Sequence, residues 1–364
     1  MRPADEETTR RATRTFVSLT GPVGNIGDAL LRRGTLRWAL GTSDQVVVYT
    51  GDTPDVWLRQ LGVPGDALVL RTKRSVPRWL WMLLTAPPRP VLVFEAGEIP
   101  LDRGNGLREL VFLLETLIVR LKRGIVVRPP RGIRSPTSPA LWLHARAAGL
   151  SQVALWRDAE SAALSPGMLA PDLGFAAGFR PGRTWSDRDE LIVSLRGARP
   201  FPSAHWCAAV RTVAATAGLR IRTVVQVRED EQRSRELATA LGGEFEPWGQ
   251  RDALAQEELL RERYENARLV LSDRMHVLVL AALSGATPIE LVPRPTGKIA
   301  AAFAVIGVAG LSLDADAGTV DEMTEFLRNR LDHHADVQHS VAAAAARLAD
   351  IESDLRRRIR AVRR

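Results

Sequence analysis

The chain has 364 residues, 45% hydrophobic and 25% charged, an ordinary globular balance with length enough for two hydrophobic cores rather than one. Lysine and arginine number 50 against 42 aspartate and glutamate, a formal net charge of +8, which favours an anionic partner: a phosphorylated metabolite, an acidic glycan, nucleic acid or a membrane face. A single cysteine, Cys207, excludes a disulfide framework and any cysteine-clustered zinc or iron–sulfur site, and points to an intracellular home.

The first fourteen residues are polar and of mixed charge, without the apolar core of a signal peptide, and no stretch reaches about twenty uninterrupted apolar residues. A soluble or peripheral cytoplasmic protein is expected. Next comes a short β-prone run over 15–19, then the turn GPVGNIGD, then helical spacing over 29–40. Further strands are expected over 45–49, 67–70, 91–94 and 124–127, with a long amphipathic helix over 108–123. The stretch 176–189 is rich in Gly, Arg and Asp and lacks a core pattern, as an interdomain connection does. A second series then begins, with strands over 191–195, 223–227, 268–271 and 288–291 and helices over 205–218, 231–241 and 277–284, followed by helix from about 320 onward. Short apolar runs alternating with helices read as parallel sheets covered by helices. The expected organisation is α/β: a polar segment 1–14, a Rossmann-like domain 15–175, a linker 176–189, a second Rossmann-like domain 190–330 and a helical tail 331–364.

Two stretches stand where open α/β sheets bind ligands, between the end of a strand and the start of a helix. In the first, Asn25, Gly27 and Asp28 follow a strand in a turn whose backbone N–H groups can hold an anion or a sugar hydroxyl. Its glycine spacing is neither a dinucleotide fingerprint nor a Walker loop, and Asp28 alone could simply cap the helix. In the second, Arg274 and His276 place a planar fork of donors beside a base that titrates near neutrality. They converge only if the helix begins near His276 rather than at Asp273. Arg196, just past a strand of the second half, is a candidate anion clamp, and Lys298 follows another strand in a loop bearing Pro and Gly. Arg157 and Asp158 read as a helix cap with a local ion pair. Apart from a weak cluster at 333–339, no histidine has metal-ligand spacing, so no metal is expected. The nine tryptophans are, one by one, better taken as core than as sugar platforms. The last nine residues hold six arginines behind an apolar helical stripe; a helix packed across the domains is the commoner outcome, and contact with anionic lipid at the inner face of a membrane is the other.

Taken in order, GNIGDALL, WRDAESAALS, PDLGF, VVQVREDEQRSRELATALGG and LSDRMHVLVLAALSGATPIEL resemble the polysaccharide pyruvyltransferase family over roughly residues 15 to 300. The resemblance implies two Rossmann-like domains facing across a cleft, as in GT-B glycosyltransferases, and transfer of the pyruvyl group of phosphoenolpyruvate to a sugar diol as a cyclic ketal. Arg274 then maps to a donor-binding arginine and His276 to the catalytic acid or base, with Arg196 and Lys298 as further donor contacts. Asn25, Gly27 and Asp28 match the N-terminal cleft motif. The stretch Glu95-Ala96-Gly97-Glu98 departs from the glycine-rich pattern of relatives, and Glu95 and Glu98 become candidate contacts to an acceptor, whether glycan or lipid-linked saccharide. No cofactor beyond phosphoenolpyruvate as co-substrate is implied. Other readings are a GT-B glycosyltransferase using a nucleotide sugar and a non-catalytic protein of glycan or membrane surfaces; no motif points to specific nucleic-acid binding.

Overall fold

A computed structural model describes residues 13–21, 23–180 and 182–363; most of the polar segment 1–14 therefore lies outside the described residues. The first half supplies eight strands: β1 (Arg14–Ser18), β2 (Gln45–Gly51), β3 (Leu68–Arg71), β4 (Val91–Val93), β5 (Gly97–Pro100), β6 (Ile125–Arg134), β7 (Val153–Trp156) and β8 (Met168–Leu169). Between them run α1 (Ile26–Ala39), α2 (Asp55–Gln60), α3 (Val76–Leu84), α4 (Gly106–Leu121), α5 (Ser138–Gly149) and α6 (Ala159–Leu164). The strands pair in parallel in the order β3-β2-β1-β4-β6-β7-β8, with β5 added to the far half of β6.

The second half holds β9 (Glu190–Ser194), β10 (Arg220–Val224), β11 (Glu244–Glu246), β12 (Ala267–Ser272), β13 (Thr287–Val292) and β14 (Ser312–Asp314), in the parallel order β11-β10-β9-β12-β13-β14. Its helices are α7 (Ala204–Ala217), α8 (Glu231–Leu241), α9 (Ala253–Asn266), α10 (Met275–Leu283), α11 (Lys298–Ala304), α12 (Val320–Asp332) and α13 (His334–Arg363). In both sheets the strand order reverses beside the first strand of the domain, and such switch points leave a crevice at the carboxyl ends of the strands. Strands β9, β12 and β13 are buried almost throughout, which is why they read as continuous apolar runs rather than as alternation.

Strand β6 runs well past the end expected at residue 127. Pro129 and Pro130 remove two backbone donors, so the sequence reads as a stop. The chain instead shifts register between Arg128 and Arg131 and continues as the partner of β5. Arg131 anchors this detour by donating from Nε to the Glu95 carbonyl at 2.5 Å, while Arg128 lies over the Phe94 ring at 4.1 Å.

Helix α10 is apolar and buried on every side from Val277 to Leu283, the mark of a helix enclosed by others. It packs against α1, α9, α13 and the short turn Leu173–Ala176. The largest apolar cluster consequently spans both domains, from Val17 and Trp38 to Val270 and Leu280. Helix α13 returns to the first domain: Leu348, Leu355 and Ile359 are buried in that cluster, and Arg356 donates to the Arg37 and Leu40 carbonyls at 2.8 and 2.9 Å. The apolar stripe of the tail is thus covered by protein, which corrects the reading of that stripe as a lipid-facing surface. Among the described residues no helix is long and apolar enough to cross a membrane.

Candidate active site

A cavity of about 420 Å³ opens between the carboxyl edges of the two sheets. Its walls are built from strand ends and the residues just past them. Asp28 comes after β1, Glu98 lies on β5, Arg134 ends β6 and Arg157 follows β7. From the other domain, Arg196 and Arg199 follow β9, Asp273 to His276 follow β12, and Lys298 follows β13. Six cations (Arg134, Arg157, Arg196, Arg199, Arg274 and Lys298) thereby meet three carboxylates, Asp28, Glu98 and Asp273. Among the described lining residues there is no Phe, Tyr or Trp.

Helix α10 begins at Met275, with Arg274 extended at its N-cap (φ −106°, ψ 114°). This satisfies the geometric demand made by the sequence, and Arg274 and His276 both reach the cavity. Arg274 is held rigidly: Nε donates to Asp230 Oδ2 at 2.7 Å, and Nη2 pairs with the same oxygen. Asp230 is itself buried and accepts the Gly197 N–H through Oδ1 at 2.9 Å. A guanidinium fixed along one edge in this way presents its remaining donors with little further loss of freedom.

His276 packs against the start of α1. A β-carbon on Gly27 would stand 2.7 Å from both Cβ and Nδ1 of His276. Gly27 therefore contributes space rather than a ligand contact: it supports the imidazole from outside the cavity lining, which corrects its placement among acceptor contacts. On the other side, Nε2 of His276 lies 3.5 Å from Oδ1 of the fully buried Asp172. Asp172 also accepts from Arg157 Nη1 at 3.0 Å and from the Gly174 N–H at 2.8 Å. Burial alone would raise the Asp172 pKa, but His276, Arg157 and the Gly174 amide outweigh it and hold the carboxyl well below its usual range. A buried carboxylate facing one ring nitrogen orients the imidazole, with Nδ1 on the Gly27 side.

Arg157 is the largest correction among single residues. The cap of α6 is Asp158 alone, accepting from the Ser161 N–H at 2.7 Å. Arg157 turns into the cleft instead, between Asp172 and Glu98, 2.9 Å from Glu98 Oε1. Asn25, not Asp28, caps α1, accepting from the Gly27 N–H at 2.9 Å, and both residues line the cavity. Glu95 is corrected as well: its carboxylate accepts from the Thr20 and Ser18 hydroxyls and is not among the lining groups. Arg196 is nearly half exposed, with its backbone N–H bonded to Asp273 Oδ1 at 3.0 Å. Burial raises the Asp273 pKa against the pull of Arg196, Arg199 and Arg274.

Glu98 is one of the carboxylates through which the domains touch electrostatically, as Asp172 and Glu257 also do. It pairs with Arg134 and Arg157 of its own domain, and lies 3.5 Å from Lys298 Nζ of the other. Partial burial, together with Arg134, Arg157 and Arg196, pushes the Lys298 pKa down to about 8, so the cleft loses one cation as the pH rises past that value. The Glu98 carboxylate occupies the centre of a cationic cluster where a substrate anion would sit. Replacing it by glutamine removes a like charge within reach of that anion, and affinity for inorganic phosphate is expected to rise about five- to tenfold. Titration calorimetry at fixed ionic strength reads this directly; an unchanged or weaker affinity in Glu98→Gln places the anion elsewhere.

The sequence matches no family model and no curated protein. Solved structures do match in fold. Anabaena Alr3699/HepE, in complex with UDP, superposes with a TM-score of 0.59 at 12% identity over 96% of this chain and 100% of that one. The UDP-GlcNAc 2-epimerase from Neisseria meningitidis, bound to UDP-GlcNAc, gives 0.56 at 9% identity over 94% and 99%. S. aureus MnaA, solved with UDP, gives 0.51 at 12% identity over 92% and 91%. The architecture is accordingly that of GT-B proteins: two Rossmann-like domains facing across a cleft. At these identities the likeness is one of fold, and the chemistry has to be argued from the cleft itself.

Proposed function

We propose that this chain is a transferase of glycan metabolism that moves the pyruvyl group of phosphoenolpyruvate onto a sugar diol. The observation that carries the reading is convergence. Arg157, Asp172, Arg274 and His276 come from three separate stretches of the resemblance to pyruvyltransferases and meet around one cation-rich cavity. Six cations against the three lining carboxylates, with Asp172 and Asp230 paired behind Arg157 and Arg274, leave a small positive surplus suited to a small donor carrying a phosphate and a carboxylate. The want of an aromatic platform among the described lining residues favours such a donor over one with a nucleobase.

In this mechanism the donor phosphate lies against Arg274 and the first turn of α10, and its carboxylate against the Arg134, Arg157 and Lys298 group, displacing Glu98. Protonation of the methylene carbon by the imidazolium of His276 makes C2 electrophilic, and a sugar hydroxyl attacks there. The attacking oxygen returns a proton to His276. Phosphate then leaves C2, its growing charge met by Arg274, and the second hydroxyl closes the ketal, giving its proton to the departing phosphate. Asp172 steadies the imidazolium before the first proton transfer and after the second, and keeps the neutral ring oriented between them.

A second reading rests on the neighbours of like fold, whose structures hold UDP or UDP-GlcNAc: a glycosyl transfer or epimerisation using a nucleotide sugar in the same cleft. Thermal unfolding separates the two, because a ligand that binds only the native state stabilises by about 2.7 kcal/mol at a hundredfold excess over its Kd. Phosphoenolpyruvate is expected to raise the melting temperature where UDP-glucose and UDP-GlcNAc do not, and Arg274→Met to weaken its binding by about 10- to 100-fold through loss of a charge-assisted hydrogen bond. Stabilisation by a UDP-sugar and not by phosphoenolpyruvate rejects pyruvyl transfer and leaves the nucleotide-sugar reading.

A further inference from the structure

Helix α4 carries Leu107, Leu110, Leu114, Leu117 and Leu121, alternately three and four residues apart, and all five are exposed, Leu107 to 75% and Leu121 to 84%. Spacing of this kind places them along one side of the helix. The opposite side is satisfied internally, burying Glu109, Glu115, Thr116, Ile118 and Val119 against the sheet and α5. Neighbouring helices extend the apolar surface: Trp81 (66% exposed) and Leu84 on α3, and Trp142 on α5. Soluble monomers rarely leave so continuous an apolar surface open to water.

The charges around it are of one sign. Residues 71–94 contain no acidic side chain, and the two in 103–123, Glu109 and Glu115, are both buried. Lys73, Arg74, Arg78, Arg120 and Arg123 are exposed in and beside the same helices. Burial pushes the Glu115 pKa up to about 8 in spite of its bond from Trp79, which removes still more negative charge from this side. A second copy of the chain would bring basic flanks together with no exposed carboxylate on α3 or α4 to pair with them. An anionic lipid surface complements both features at once, taking the leucines and tryptophans at the depth of the headgroups and acyl chains and the arginines at the phosphates.

We infer that the α3–α4 face of the first domain docks the protein on anionic membrane, lying on the bilayer without spanning it. This surface is separate from the arginine-rich end of α13, and the inference does not depend on which donor the cleft takes. A bilayer-docked face would bring the enzyme to acceptors that are themselves held in a membrane.

Co-sedimentation of the full chain with phosphatidylcholine vesicles, with and without about a third phosphatidylglycerol, tests it. Binding is expected on the anionic vesicles and to weaken with salt. Leu110→Asn/Leu114→Asn/Leu121→Asn should cut partitioning by about tenfold or more, and Arg74→Gln/Arg78→Gln/Arg120→Gln by roughly a hundredfold at low salt. Arg357→Gln/Arg358→Gln on α13 should leave it unchanged. Brominated acyl chains should quench tryptophan fluorescence in the wild type and less in Trp81→Phe, a readout that does not depend on the multiple variants. No partitioning, equal partitioning of the leucine variant, or a solution dimer dispersed by those same leucine substitutions would overturn the inference.

Discussion

Replacing Gly27 by alanine is expected to abolish most turnover while leaving the protein folded. The new methyl would stand 2.7 Å from Cβ and Nδ1 of His276 and 2.9 Å from its Cγ, far inside van der Waals contact. Cβ is one bond from the backbone of α10, and that helix is packed on every side, so the imidazole can escape only by rotating away from Asp172. Overpacking of this kind costs about 1–3 kcal/mol. Loss of a positioned acid–base group costs about 10²- to 10⁴-fold in rate, so activity should suffer far more than stability. Steady-state kinetics beside thermal unfolding measures the two losses. Wild-type turnover in Gly27→Ala would mean that the ring does not work from the position described.

Asp172→Asn should be the most destabilising single substitution at the cleft, by about 3–5 kcal/mol, because it leaves Arg157 facing an amide and breaks a buried ion pair from one side. The sign of its pH dependence follows from the depressed carboxyl. A group whose pKa is lower folded than unfolded stabilises the native state above the ordinary aspartate value and loses that contribution as the pH falls through the folded value. The gap between wild type and variant in denaturant unfolding should therefore narrow as the pH falls below about 4. A gap that widened as the pH fell below about 4 would mean that Asp172 is protonated in the native protein. The same variant frees the His276 ring, and its rate profile against pH should shift even where enough protein remains folded to measure.

The sheets were legible because their strands are buried on both faces and read as apolar runs separated by helices. Helix α8 forms over the residues expected, Glu231–Leu241, and Arg274 and His276 reach the cavity because a strand end leading into a helix start puts them there. The contacts that escaped the sequence were non-local. Nothing in the spacing around Gly27 tells of an imidazole 249 positions later, and Asp172 lies in the stretch PDLGF without any local sign that it would sit beneath that ring. Arg134, Arg157 and Arg199 are three among 50 basic residues, and only the meeting of two sheet edges separates them from surface arginines. Glu95 and Glu98 looked equivalent on paper. The register of β5 on β6 sends Glu98 into the cleft, whereas Glu95 stays with the hydroxyls of Ser18 and Thr20 at the end of β1.

The route of the chain has a mechanical consequence. It passes from the first domain to the second before β9 and comes back along α13, and at the place of exchange Trp185 stacks on His334 with ring centres 3.7 Å apart. One covalent passage and one helix that returns by packing alone are thus fastened side by side. A single protease nick between residues 177 and 189 would leave the halves held by the packing of α13 on the first domain, and any opening of the molecule has to bend about this point, widening the far rim of the gap before the near one.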